Sequence, residues 1–294
     1  ATVPATDLST PGTVTVQGII TDAYGLYNTY TFQITVNPVT QPFQVTNFTQ
    51  TASGFDVTFN RAANPAVLNL YAGTGGIYGG PDVILTGPGG TVTGSLVLNS
   101  TGTGAEFIKT GQGSTPGVLA AGVYTATLVS SSTAWEDLSG NLLQSNDPSG
   151  NYVHGFTVGA LGDIVSLSDF ARGPGQAVNL PTTSTAGIPI NLSNGSDVTA
   201  VDFYLAYDSN LLTITGVNPG SGFPANGWSI TFNNSTPGQL QVTVSGTTPL
   251  ASGVVNLVDL VASVPSNATY GLSAALNITN LMINGGAIAG TADS

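Results

Sequence analysis

The sequence predicts an all-β protein of tandem β-sandwich modules, and three observations carry this prediction. Runs rich in Val, Thr, Ile, Phe and Tyr recur along the chain, and 39 Gly and 17 Pro punctuate them at short intervals. Within many of these runs apolar and polar residues alternate with period two. The length of 294 residues suits about two domains, and the 41% of hydrophobic residues can fill a core in each.

Charges are few and mostly negative. Three basic residues oppose fifteen acidic ones, giving a formal net charge of −12. Nucleic acid and anionic membranes are poor partners for such a chain, because binding to either needs clustered cations. The absence of Cys excludes disulfides and thiolate metal sites. A surface supplied by Thr, Ser, Asn and Gly is typical of modules outside the cell, so we expect an extracellular, cell-surface location.

No membrane span is expected, because the longest apolar stretch, GVVNLVDLVASVP at 253–265, is short and interrupted by Asn256 and Asp259. The sequence starts at Ala1 without a signal peptide, which indicates either a processed mature form or a piece of a longer protein. We expect the second.

The first segment, residues 1–40, contains two predicted strands, 12–22 and 26–36, joined by a turn at 22–25. Two strands cannot close a sandwich, and an isolated hairpin is marginal in water. The segment resembles part of an immunoglobulin-like (Ig-like) or PKD-like module, whose other strands come from upstream or from another copy. The alternation is carried by Val14, Val16, Tyr30, Phe32, Ile34 and Val36.

The second segment, residues 43–158, predicts a β-sandwich of about eight short strands. The runs GFDVTFNRAANP, GVYTATLVSSSTAWEDLSGNLL and YVHGFTV resemble bacterial Ig-like modules of S-layer and giant secreted adhesin-type proteins. Asp137, Gly140, Asn141 and Leu143 match the D-x-x-G-N-x-L turn of that family. The predicted strands are 43–48, 54–60, 67–72, 82–87, 91–99, 105–110, 122–130 and 152–158.

The third segment, residues 160–294, carries the run GIPINLSNGSDVTAVDFYLAYDSNLLTITGV at 187–217. This run resembles the opening half of a cohesin domain, which implies a nine-stranded jelly-roll sandwich and, for the best-known members, binding to dockerins. The residues independently predict a strand with two unlike sides. One side carries Val201, Phe203, Leu205 and Tyr207, and the other carries Asp202 and Tyr204.

We predict that the protein is not an enzyme. Triad chemistry needs a base, and His154 is the single histidine, placed in a strand where a structural role is expected. The glycine-rich, nucleophile-elbow and zinc motifs are missing from the sequence. A glycosidase needs two carboxylates, but Glu106, Glu136 and most Asp residues are expected in turns rather than in a cleft.

Calcium is the single candidate cofactor, because this ion wants several carboxylate, amide and carbonyl oxygens. The alternative for the same residues is an Asx-rich loop capped by its own side chains. A second acidic set, Asp197, Asp202 and Asp208, is expected to be solvated. The candidate calcium ligands lie within fifteen residues and are Asp137, Asn141, Asn146, Asp147 and Asn151.

Two functions remain open from the sequence. The first is a non-catalytic structural or adhesive protein in a bacterial surface fibre, sheath or adhesin. Lys and Pro normally protect edge strands, and Lys109 is the single lysine, so copies are expected to pair by strand exchange, as in donor-strand assembly. Its partners are then copies of itself or neighbouring modules of a larger surface protein. The alternative is a cohesin-type binding module that captures a dockerin-bearing partner.

Overall fold

Strands dominate the computed structural model, which describes residues 12–36, 41–69, 80–110 and 117–293. The all-β, tandem-sandwich prediction is confirmed. The chain forms two compact units, Ala1–Pro42 and Phe43–Ser294. None of the described helical segments is long and apolar enough to cross a membrane.

The first unit contains an antiparallel hairpin of β1 (Gly12–Thr21) and β2 (Tyr27–Val36). Asp22 closes the turn, because its Oδ1 accepts the backbone N–H groups of Tyr24 and Leu26, both at 2.9 Å. Gly25 has φ +85°, a left-handed conformation that glycine adopts without strain. The sequence therefore encodes both the strands and the turn of this hairpin.

Two four-stranded antiparallel sheets form a first sandwich at the start of the second unit. One sheet has the order β3-β4-β8-β7 and the other β10-β9-β5-β6. Strands β3 and β10 lie on the same side, since Phe48 stacks on His154 with ring centroids 4.0 Å apart. The strands are β3 (Val45–Gln50), β4 (Gly54–Phe59), β5 (Val83–Gly87), β6 (Gly90–Val92), β7 (Gly94–Leu98), β8 (Gly104–Lys109), β9 (Gly122–Leu128) and β10 (Tyr152–Val158).

One strand prediction in this sandwich was wrong, and a second is not met over the residues that the structure describes. The single strand predicted at 91–99 is two strands in different sheets, because β6 pairs with β5 while β7 pairs with β8. The chain changes sheets at Thr93, whose carbonyl accepts the N–H of Thr110. The strand predicted at 67–72 is turn and irregular chain over 67–69, and 70–72 lie outside the described residues.

Aromatic side chains fill the first sandwich. Trp135 is fully buried and donates its indole N–H to the carbonyl of Asp82 at 3.0 Å. Its ring lies 5.0 Å from that of Phe59, and Phe55 stacks on Phe107 at 5.5 Å. Burial of several aromatic rings, with the indole N–H satisfied, stabilises this core.

A second sandwich follows in the same unit. A six-stranded sheet has the order β12-β18-β13-β11-β20, with β15 also paired to β18, and a four-stranded sheet has the order β16-β17-β14-β19. The strands are β11 (Asp163–Ser166), β12 (Ala177–Val178), β13 (Ile188–Leu192), β14 (Ala200–Ala206), β15 (Thr213–Pro219), β16 (Trp228–Asn233), β17 (Gln239–Gly246), β18 (Val255–Ser263), β19 (Asn277–Ile283) and β20 (Gly290–Ala292).

The predicted two-sided strand is β14. Val201, Phe203 and Leu205 are buried in the second core, whereas Asp202 and Tyr204 are only half-buried on the other side. The turn after the strand also agrees with prediction, because the Asp208 Oδ1 accepts the backbone N–H of Asn210 at 2.8 Å. Period-two alternation is therefore a reliable guide to this sheet.

The two sandwiches are joined by a buried carboxylate. Asp293, just after β20, is fully buried. Its Oδ1 accepts the hydroxyl of Ser53 at 2.9 Å, and its Oδ2 accepts the N–H of Gly117 at 2.7 Å. A Cβ on Gly117 would lie 2.7 Å from Asp293 Oδ1 and 2.9 Å from the carbonyl oxygen of Lys109, so this contact requires glycine. We call these contacts the junction.

Candidate functional site

The residues proposed as calcium ligands lie in one loop, residues 137–151, here called the closing loop. Asp137 is buried, and its Oδ1 accepts the backbone N–H groups of Ser139 and Asn141 at 2.8 and 2.9 Å. Its Oδ2 accepts the Asn141 amide at 2.9 Å and faces Arg61 at 3.4 Å. Burial acts to raise the pKa of Asp137, but the hydrogen bonds from Asn141, Ser139 and Arg61 outweigh it and lower the pKa.

Two more residues of the set, Asp147 and Asn151, also accept backbone hydrogen bonds. Asp147 is exposed, and its Oδ1 accepts the N–H of Ser149 at 2.9 Å. Asn151 Oδ1 accepts the N–H of Ser130 at 3.0 Å. The Asp147 bond is of the kind expected for the self-capped loop, the alternative that the sequence left open, whereas the Asn151 bond reaches outside the loop. Among the described residues no group of three or more His, Asp or Glu side chains is placed to hold a metal, and calcium at this loop stays a prediction.

Asn146 has a different role in the closing loop. Its Nδ2 donates to the carbonyl of Val153 at 2.9 Å, and its Oδ1 accepts the N–H of the same residue at 2.7 Å. The loop also reaches the other sheet, because the N–H of Gln144 donates to the carbonyl of Phe43 at 2.7 Å. The closing loop therefore lies along the open side of the first sandwich, where β3 and β10 are the outer strands.

His154 is a strand residue, as expected. It lies in β10 opposite Ala126 of β9, and its ring stacks on Phe48 at an interplanar angle of 24°. The packing of this ring on Phe48 gives the residue the structural role that the sequence predicts.

The second acidic set is not brought together. Asp202 lies in the middle of β14, Asp208 follows the end of the strand, and Asp197 precedes it in a left-handed conformation with φ +62°. The carbonyl of Asp197 accepts the side-chain amide of Asn284 at 2.7 Å. These three residues have separate local roles.

Glu106 lies in β8, within the strand predicted at 105–110 rather than in a turn, and directly opposite Asp56 of β4. The Asn277 amide of the second sandwich donates to Glu106 Oε2 at 3.4 Å. Burial, and then the charge of Asp56, raise the pKa of Glu106 to about 7, and the bond from Asn277 opposes them. Burial also raises the pKa of Asp56. Two carboxyl groups thus share one side of the contact between the sandwiches.

The outward side of the sheet β16-β17-β14-β19 is a preformed polar surface. In one row Met282, Asp202, Thr243 and Thr231 lie side by side, and in the next Thr279, Tyr204, Gln241 and Asn233 do. These eight residues define what we call the open face. Asp202 carries its single charge, and Met282 is 49% exposed.

Only part of the open face could be predicted from the sequence. The alternation in β14 had set Asp202 and Tyr204 on the side away from the core. The residues of the other three strands were missed, because their position depends on strand order. That order places β14 between β17 and β19, which are distant in sequence.

Comparisons with known proteins find a family match for part of the chain. Residues 176–291 match the family model described as the cohesin domain. No curated protein matches the chain.

Several solved structures also show similarity. CaCohA2 from Clostridium acetobutylicum is 21% identical, with 46% of this chain and 87% of that chain covered and a TM-score of 0.34. A non-cellulosomal cohesin from the archaeon Archaeoglobus fulgidus is 17% identical, with 45% and 84% covered and a TM-score of 0.33. The sixth cohesin of scaffoldin B from Acetivibrio cellulolyticus, in complex with a mutant Cel5 dockerin, is 20% identical, with 45% and 98% covered and a TM-score of 0.33.

Proposed function

Residues 176–291 form a cohesin-like domain, and from this premise we propose that the protein is a non-catalytic binding module that captures a dockerin-like partner. The match to the cohesin family carries the proposal. The rest of the chain then serves to hold and present this domain.

The open face supports the proposal as the contact surface. A four-stranded sheet presents hydroxyl and amide groups around Tyr204 and Met282. Binding to this sheet would remove little charge from water and would need little ordering of the backbone, and both keep the cost of binding low. Four strands of about seven residues cover roughly 400 Å². Stable interfaces bury about 800 Å² per partner, so a partner must also touch the loops around the sheet.

Titration calorimetry with a panel of purified dockerins tests this function. We expect at least one dockerin to bind, and Tyr204→Ala to weaken binding by about tenfold or more, as loss of a central aromatic contact does. The matched control is Tyr270→Ala, which removes an exposed tyrosine outside the open face. A folded protein that binds none of the panel, or that binds equally well after Tyr204→Ala, contradicts the proposal.

We propose an extracellular structural role as a second function, because the hairpin of the first unit has an uncovered apolar side. Ile20, Tyr30 and Phe32 lie on that side and are 65%, 53% and 55% exposed, respectively. Two strands alone bury too little apolar surface to be stable, so other strands are needed to cover this side. Strands from another copy would link the chains into a fibre.

Electron microscopy and light scattering of the concentrated protein, with and without calcium, test the second function. We expect assemblies that Phe32→Lys abolishes and that Thr31→Lys, on the opposite side of the same strand, leaves intact. Monomers under all of these conditions contradict it. The sparse charge and the abundance of Thr, Ser, Asn and Gly support a location outside the cell for either function.

A further inference from the structure

Strand β10 is the terminal strand of its sheet in the described part of the chain, so one of its edges faces away from β9. The Asn146 side chain lies against this edge and bonds both the N–H and the carbonyl of Val153. A neighbouring strand would use the same two groups of this residue. The amide therefore occupies one pairing position of a missing strand.

The edge continues beyond the position of Asn146. In an antiparallel pair, alternate residues direct both backbone groups toward the same neighbour. The backbone N–H and carbonyl of Val153 face away from β9, so those of Gly155 and Thr157 do so as well. Both residues are exposed. An edge of this kind is a template for pairing with another chain unless something blocks it.

The usual blocking residues are missing from this strand. Tyr152–Val158 contains no Lys, Arg, Asp, Glu or Pro. Its histidine packs on Phe48 between the sheets and so does not cover the edge. The side chain of Asn146 is thus the contact that limits access to the edge at Val153.

We propose that Asn146 is an edge guard, whose amide prevents β10 from pairing with β10 of a second copy of this chain. A second copy fits this edge because the edge is self-complementary. Antiparallel pairing centred on Gly155 sets Val153 opposite Thr157 twice, which are pairs of β-branched residues that suit adjacent strands. The strand itself carries no Lys, Arg, Asp or Glu that would face its own copy. The β10-β9-β5-β6 sheets of the two copies would then become one continuous sheet.

The test is sedimentation velocity of Asn146→Ala over a wide range of concentration. We expect the fraction of dimer to grow with concentration. Asn141→Ala, a matched change in the same loop, should leave the association state of the protein unchanged. Adding Thr157→Lys to Asn146→Ala should restore the association state of the unsubstituted protein, because a lysine on the edge repels its own copy. An Asn146→Ala protein that does not dimerise, or a dimer that survives Thr157→Lys, overturns the proposal.

Hydrogen exchange of the unsubstituted protein gives a second test that does not depend on the folding of any variant. We expect slow exchange for the Val153 N–H, which Asn146 holds, and at least tenfold faster exchange for the N–H groups of Gly155 and Thr157. Fast exchange at Val153 would contradict the role of Asn146 as an edge guard. Equal protection of all three N–H groups would contradict the claim that the edge at Gly155 and Thr157 is open.

Discussion

Replacing Glu106 by Gln should stabilise the protein above pH 7 and leave its stability unchanged near pH 4.5. Glu106 sits beside Asp56 on the first sandwich and against Asn277 on the second. Burial and the Asp56 charge raise its pKa from an ordinary 4.5 to about 7. The folded protein therefore keeps a proton that the unfolded chain releases.

The sign of the effect follows from proton binding. Between pH 4.5 and 7 the folded state binds more protons than the unfolded state, so the free energy of unfolding falls as the pH rises through this range. A pKa difference of one unit corresponds to about 1.4 kcal/mol. The rise of the Glu106 pKa from 4.5 to about 7 therefore sets an upper limit of about 3 kcal/mol on the loss. Since Glu106 is only half-buried, contact with solvent reduces the expected loss to about 2 kcal/mol. Gln keeps the shape of the side chain without the charge.

Urea unfolding followed by circular dichroism from pH 4.5 to 8.5 measures this difference. The difference between Glu106→Gln and the unsubstituted protein isolates Glu106 from the other titrating groups. Glu136→Gln is the matched control, because Glu136 is the second of the two glutamates in the sequence and bonds Asn64 within the first sandwich. If the stability curves of the Glu106→Gln and unsubstituted proteins stay parallel across this pH range, the reasoning is refuted.

Three further perturbations test the packing and the closing loop. Phe203→Ala empties a fully packed position of the second core and should cost about 3 to 5 kcal/mol of unfolding free energy, measured by urea denaturation. Gly117→Ala should cost about 1 to 3 kcal/mol by pushing on the carboxylate of Asp293, and a melting temperature equal to that of the unsubstituted protein would contradict this account of the junction. Asp137→Ala should destabilise the protein by about 2 kcal/mol with or without calcium, because it removes the hydrogen bonds of the closing loop. A calcium-dependent rise in melting temperature that Asp137→Ala abolishes would instead establish the calcium site.

Local sequence patterns predicted the strands and their buried sides well. The alternation in β14 correctly separated Phe203 from Asp202, and the turn residue Asp22 marked the hairpin. The pattern could not show that the chain changes sheets at Thr93, because period two continues through 91–99 whichever sheet each residue joins. Sheet membership depends on partners that are distant in sequence.

The candidate sites were harder to predict for the same reason. A count of oxygen-bearing side chains singled out Asn146, but it could not show that the backbone of Val153 takes up both ends of the amide. Glu106 became notable only through Asp56 and Asn277, which lie 50 and 171 residues away in sequence. The open face likewise needed the order of four strands.

The position of Asp293 decides how the second unit responds to tension. The chain enters this unit at Phe43, just before β3, while Asp293 contacts Ser53 in the turn just after β3. A pull between residues 43 and 293 therefore acts along the length of the first sandwich. We expect such a pull to strain first the contacts of Asp293 and the parallel pairing of β20 with β11. Neither strand belongs to the sheet that carries the open face, so we expect the open face to stay intact under tension until the pairing of β20 with β11 breaks.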